Sequence, residues 1–113
     1  MRNLKISLIG GGNMAEALLS GLIRSGHAAQ NLWVADVRKE RLEELQRGYS
    51  VHVTQNSATA ATKADVLVLA VKPQQMDAAL KAICGKIDKQ ATVVSIAAGV
   101  SMQHLRRGLG DDV

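Results

Sequence analysis

The sequence predicts an α/β fold, a doubly wound parallel sheet in a single domain, and three observations carry that prediction. Short apolar, often β-branched runs alternate with helix-periodic stretches along the whole chain. The run Val66-Leu67-Val68-Leu69-Ala70 is unbroken by polar residues, as expected of a strand covered on both faces. A glycine segment, Gly10-Gly11-Gly12, lies where the first apolar run gives way to the first helical pattern. Alternating β and α units joined by right-handed crossovers close into such a sheet. A length of 113 residues suits one domain, burying roughly two-thirds of its unfolded surface.

Taken in order, residues 4–9 form the first predicted strand. The first helix spans 13–24, with Ala15, Leu18, Leu19 and Leu22 on one face, and Gly26 stops it. Residues 31–35 are the second strand, followed by a helix over 39–47 that is charged on its outer face and ends at Gly48. Residues 50–54 alternate as a third strand, and Asn56 or Ser57 caps a helix running to residue 64. The fourth strand is 66–70. Val71-Lys72-Pro73 then turns into a helix over 74–83, with Pro73 at its edge. A fifth strand over 91–96, the Ala97-Ala98-Gly99 segment and a last helix near 102–107 complete the pattern. No repeat, low-complexity tract or linker interrupts it.

Composition narrows the partners. Apolar content of 47% and charged content of 21% are ordinary for a globular protein. The net charge of +4 is spread along the chain, apart from a local group at Arg38, Lys39 and Arg41. A groove for an anionic cofactor explains that group as well as a nucleic-acid footprint would. Trp33 and Tyr49 are the only aromatic residues, too few for base-stacking platforms, so nucleic acid is not expected as a partner. The single cysteine, Cys84, permits no internal disulfide and is expected as a small buried residue in a helix. The first apolar run is cut short by glycines and reads as a strand rather than a leader. No stretch is long enough to span a bilayer, so no membrane partner is expected and the cytoplasm is the expected location.

The chemistry is concentrated at the ends of the strands. Gly10, Gly12 and Ala15 fit G-x-G-x-x-A, the dinucleotide-binding fingerprint. Gly10 allows a sharp turn, Gly12 keeps side-chain atoms away from a pyrophosphate, and Ala15 lets helix and strand pack closely. The helix N-terminus then offers unpaired N–H groups to the phosphates. In a Rossmann-like sheet the ligand lies beyond the carboxyl ends of the strands. That gathers the loops at 10–14, 36–41, 70–73 and 97–99 on one rim. Asp36 follows the second strand, where a carboxylate grips the adenosine ribose of NAD, whereas Arg38 beyond it suits the extra phosphate of NADP. Asp36 as a cap of the following helix is a third reading, and NADPH and NADH both stand as cofactors. Lys72 reads equally as a cofactor contact or a solvated lysine. His27, His52 and His104 share no ligand spacing, and Ser95 lacks an adjacent base, so neither a catalytic residue nor a metal site is assigned. Met14 falls at the cofactor-facing helix start, and the other methionines read as packing.

The run from Ile9 through Gly10, Gly11, Gly12, Asn13 and Met14 to Ala15, the Leu69–Pro73 turn and the Val94–Val100 segment together resemble the pyrroline-5-carboxylate reductases. The resemblance covers essentially all of residues 1–113. It implies an NADPH- or NADH-dependent reduction of 1-pyrroline-5-carboxylate to L-proline, the last step of proline biosynthesis. It implies that the glycine loop with Asn13 and Met14 holds the pyrophosphate and that Asn56 lies near the adenosine ribose. Ala70, Val71, Lys72 and Pro73, with Ala97, Ala98 and Gly99, would line the nicotinamide side. Asp36 departs from the hydroxyl or small residues that many NADPH-preferring members carry there. The family's helical second domain, which builds the homo-oligomer and the substrate site, has no counterpart in this sequence. The chain is therefore expected to be a cofactor-binding fragment, inactive alone. Prephenate dehydrogenases, imine reductases and β-hydroxyacid dehydrogenases are alternatives within the enzyme class. A non-catalytic nucleotide-sensing module is the alternative outside it.

Overall fold

The computed structural model describes residues 4–96. Eleven elements follow one another. Strands β1 (Ile6–Ile9), β2 (Leu32–Ala35), β3 (His52–Thr54), β4 (Val66–Leu69) and β5 (Thr92–Ser95) alternate with helices α1 (Asn13–Arg24), α2 (Lys39–Tyr49), α3 (Ser57–Lys63) and α4 (Met76–Ile83), with short 3-10 turns at Ala29–Asn31 and Pro73–Gln75. The five strands form one sheet in the order β3-β2-β1-β4-β5, every pair parallel. The doubly wound sheet expected from the sequence is thus present.

The sheet separates two apolar layers. Ile6, Leu8, Val34 and Val68 pack with Ala15 and Leu19 of α1 and with Leu42 and Leu45 of α2. Ile9, Ala35, Leu67 and Leu69 pack with Ala60 and Ala61 of α3 and with Met76, Leu80 and Ile83 of α4. β1 is buried at all four positions, and its single hydroxyl, on Ser7, donates to the Ala60 carbonyl at 2.7 Å. That bond satisfies a buried polar group while tying β1 to α3.

Local signals explain most boundaries. α1 ends where Gly26 takes φ +101°; its amide bonds to the Ile23 carbonyl and that of His27 to Leu22, the paired closure of a Schellman motif. Asn56 caps α3, its side chain accepting from the amides of Ala58 and Thr59. His27 is buried, with Nε2 at 2.9 Å from the Leu4 carbonyl, and His52 stacks on Trp33, so both are structural.

Four expectations are corrected. α2 does not stop at Gly48 but runs to Tyr49, and Ser50 takes the left-handed turn at φ 59°. The stretch after Lys72 is not one helix: Pro73 opens a 3-10 turn, and α4 begins only at Met76. Cys84 is exposed rather than buried, because α4 ends one residue before it. Arg38, not Asp36, occupies the position before α2, and the Asp36 carboxylate accepts from the Arg38 and Gly11 amides rather than from amides within the helix. Strands β1 to β5 are also shorter than their apolar runs. The Ala97-Ala98-Gly99 segment, the helix near 102–107 and His104 lie outside the described residues.

Candidate functional site

β1 lies between β2 and β4, so the strand order reverses at the carboxyl end of β1, the point at which sheets of this kind bind their ligands. The glycine loop sits there. Gly10 has φ +106°, and a Cβ on it would come within 2.9 Å of the Ala70 backbone. Glycine is required at that position by the fold itself. The Gly10 amide donates to the Ala35 carbonyl at 2.7 Å and that of Ala70 to Ile9 at 2.8 Å, closing the loop bases on both sides of β1. Gly11 is enclosed by Leu45, Val34 and the Asp36 carboxylate. Gly12 differs: a Cβ there would meet nothing within 4 Å. It precedes α1, whose first residues, Asn13 and the 61%-exposed Met14, face outward.

Asp36 follows β2 directly, and its carboxylate accepts four hydrogen bonds. Its Oδ1 accepts from the Arg38 amide and Nε, both at 2.9 Å; its Oδ2 accepts from the Gly11 amide and Arg38 Nη2, both at 2.8 Å. Burial works to raise its pKa, but the Arg38 guanidinium and the two amides more than offset this and hold it at about 2. The Asp36 side chain is 7% exposed and that of Arg38 57%, so the pair presents its cationic edge to solvent. Gln55 Nε2 donates to the Val37 carbonyl at 3.1 Å, bracing the loops after β2 and β3 against each other.

A second ion pair lies behind the loop. Arg41 of α2 donates through Nε to the Gly11 carbonyl at 2.6 Å and through Nη2 to Glu16 Oε1 of α1 at 2.6 Å. The Tyr49 hydroxyl donates to Glu16 Oε2 at 2.8 Å. That hydroxyl first, and Arg41 second, lower the Glu16 pKa. The sequence grouped Arg41 with Arg38 but gave no hint of these partners.

The structure brings Gly10, Gly11, Gly12, Asn13, Met14, Asp36, Arg38, Ala70 and Val71 to one rim. Lys72 and Pro73 follow in the same loop, exposed, with Lys72 just before the 3-10 turn. Asn56 stands beyond β3, its Oδ1 engaged in capping α3. Among the described residues no group of histidine, cysteine, aspartate or glutamate is placed to hold a metal, and no helix is long and apolar enough to cross a membrane.

An all-parallel sheet of this order, with the fingerprint loop at its reversal point, defines a Rossmann-type dinucleotide-binding domain. Within that class the chain belongs to the family described as NADP oxidoreductase, coenzyme F420-dependent, which matches residues 5–99. It is 38% identical over 105 residues to a pyrroline-5-carboxylate reductase of Vibrio alginolyticus, covering 93% of this chain and 39% of that protein. A pyrroline-5-carboxylate reductase structure from Coxiella burnetii superposes with a TM-score of 0.86 at 36% identity, covering 96% of this chain and 40% of the other. A pyrroline carboxylate reductase of Plasmodium falciparum, solved with NADP bound, shares the fold with a TM-score of 0.84 at 23% identity, covering 98% and 40%. The resemblance expected from the motifs is therefore present along nearly the whole chain, which spans about two fifths of the length of the curated relatives it matches.

Proposed function

We propose that the rim binds NADPH or NADH and, in the whole protein, presents it to 1-pyrroline-5-carboxylate for reduction to L-proline. Gly12 carries this reading. Its φ of −80° is open to any residue and a Cβ would meet open space, so the fold has no need of glycine there. A pyrophosphate lying against the loop does need it. The phosphates then meet the first amides of α1, with Gly10, Gly11, Asn13 and Met14 shaping the cradle. The adenosine ribose lies at the end of β2, between Asp36, Arg38 and Asn56. Ala70, Val71, Lys72 and Pro73 line the nicotinamide side. When bound, the reduced cofactor supplies a hydride to the imine carbon, while a proton goes to the imine nitrogen. The work of this chain is to bind and orient. Walls for the small-molecule substrate, and a homo-oligomer that builds them, belong to the remainder of the protein, and the cytoplasm suits this biosynthetic role.

The ribose end favours NADPH. A carboxylate offers about four acceptor positions, and all of those on Asp36 are filled. A ribose diol must displace the Arg38 guanidinium, since the other two donors are backbone. A 2′-phosphate needs no such exchange, because the exposed edge of Arg38 can meet it with the pair intact. Calorimetric titration with both cofactors tests this. NADPH should bind more tightly, and Arg38→Gln should reverse the order by freeing Asp36. No binding of either at millimolar concentration would overturn the cofactor reading. In the whole protein, turnover of prephenate but not of the cyclic imine would overturn the substrate.

A further inference from the structure

We infer that Arg41 is a positioning residue for the cofactor pyrophosphate: it aims the loop's amides by holding the opposite ends of their peptides. The argument rests on the cofactor site proposed above and starts from the cost of the loop. Gly10, Gly11 and Gly12 are consecutive, and glycine has the greatest backbone freedom to lose on ordering. A loop of this kind binds well only if something else fixes it beforehand. The first peptides are fixed at nitrogen: the Gly10 amide by the Ala35 carbonyl and the Gly11 amide by Asp36. The next two are fixed at oxygen. Arg41 Nε donates to the Gly11 carbonyl at 2.6 Å; the Gly12 carbonyl accepts the Glu16 amide at 3.0 Å in the first turn of α1, with Arg41 Nη2 beside it at 3.4 Å.

A trans peptide is planar, with C=O and N–H pointing in opposite directions. Holding the Gly11 oxygen toward α2 therefore turns the Gly12 N–H away from α2, and holding the Gly12 oxygen does the same for the Asn13 N–H. These amides begin α1, where no intrahelical acceptor exists for them. The guanidinium is itself anchored, by Glu16 at 2.6 Å and with Glu44 at 3.8 Å, and its side chain is only 16% exposed. Glu16 is in turn held by Tyr49. Arg41 is thus too committed to act as a mobile phosphate ligand. Its planar fork of donors spans two carbonyls and a carboxylate at once, which a lysine ammonium cannot reproduce.

The test measures dissociation constants of the chain and of Arg41→Met and Arg41→Lys for NADPH, NADH and 2′-AMP, which has the adenosine end but no pyrophosphate. The expected result is a loss of at least tenfold for both dinucleotides in Arg41→Met, with their ratio unchanged. Arg41→Lys should recover part of the loss, 2′-AMP should bind as before, and the Gly12 and Asn13 amide resonances should shift in the ligand-free variant. Unchanged dinucleotide affinity with a lowered melting temperature would make Arg41 merely structural and overturn the inference. An equal loss for 2′-AMP would overturn it too, as a general effect. If the unaltered chain binds 2′-AMP and neither dinucleotide, the cofactor reading itself fails and takes this one with it.

Discussion

Arg38 and Arg41 flank the start of α2 and each meets a carboxylate, yet the two pairs do different work. Asp36 is the buried member of the first pair and Arg38 the exposed one. In the second, Arg41 is the buried member, and Glu16 is 39% exposed. The outer pair therefore shows a cation to whatever approaches the end of β2. The inner pair shows little and holds the glycine loop from behind. Two arginines close in sequence, alike in charge, are separated in role by which side of their salt bridge faces water. A net-charge argument cannot tell them apart; the hydrogen bonds to Gly11 can.

Removing the turn on which both pairs act should have the largest effect. In Gly10→Ala the Cβ meets the Ala70 backbone at 2.9 Å at a φ of +106°. Strain and overpacking together should cost about 3 kcal/mol, read by denaturant unfolding. Both pairs should loosen together, since Gly11 contacts each.

Acid separates them next. Asp36 has a folded pKa near 2 against an ordinary 3.8. A depressed pKa gives stability that is complete above the unfolded value and is lost as pH falls through the folded one. About 2 kcal/mol should therefore disappear between roughly pH 4 and 2. Unfolding curves of Asp36→Asn should lack that acid limb, with the Gly11 amide still satisfied by the asparagine oxygen. Glu16 should keep its charge below the usual glutamate range, so the inner clamp should outlast neutral and mildly acidic conditions.

A smaller effect measures the inner pair directly. A double-mutant cycle over Glu16→Gln and Arg41→Met should give a favourable coupling smaller than the acid effect at Asp36, as for a partly exposed pair. The same cycle with Tyr49→Phe replacing Arg41→Met should give less, because a neutral donor contributes less than a guanidinium.

Much of this was legible in the sequence, and what was hidden has a common cause. The order of elements, the limits of α1 and the rim loops follow from local signals: alternating periodicities, Gly26 beyond a helix and Asn56 before one. Gly48 is locally a stop signal, yet α2 continues to Tyr49, whose hydroxyl reaches Glu16. Helical periodicity does not show that α4 ends at Ile83, one residue short of Cys84, which leaves Cys84 at the surface. The glycine loop announced the site. The clamp behind it did not, since Arg41 and Tyr49 meet Glu16 across 25 and 33 residues of chain. For Asp36 only the Gly11 amide comes from across the chain; its three other bonds come from Arg38, two residues on, a spacing that suits an ion pair as readily as it suits two separate ribose contacts.

Gly12→Ala should disturb the fold least while still reaching the ligand. The position has an ordinary φ and open space for a Cβ. Alanine is a poorer residue than glycine before a helix, but it also restricts the unfolded chain, and these effects are similar in size and opposite in sign. Stability should stay within about 0.5 kcal/mol of the unaltered chain. Both ion pairs should survive, since each contacts the loop backbone or Gly11 and not the space the methyl would fill. Cofactor affinity should nonetheless fall at least tenfold, for NADPH and NADH alike, because the methyl would stand where the pyrophosphate approaches. Gly10→Ala and Gly12→Ala thus separate what the fold requires of this loop from what a ligand requires. If Gly12→Ala binds both cofactors normally, the pyrophosphate does not lie on this loop, and the arginines on either side are no more than structural.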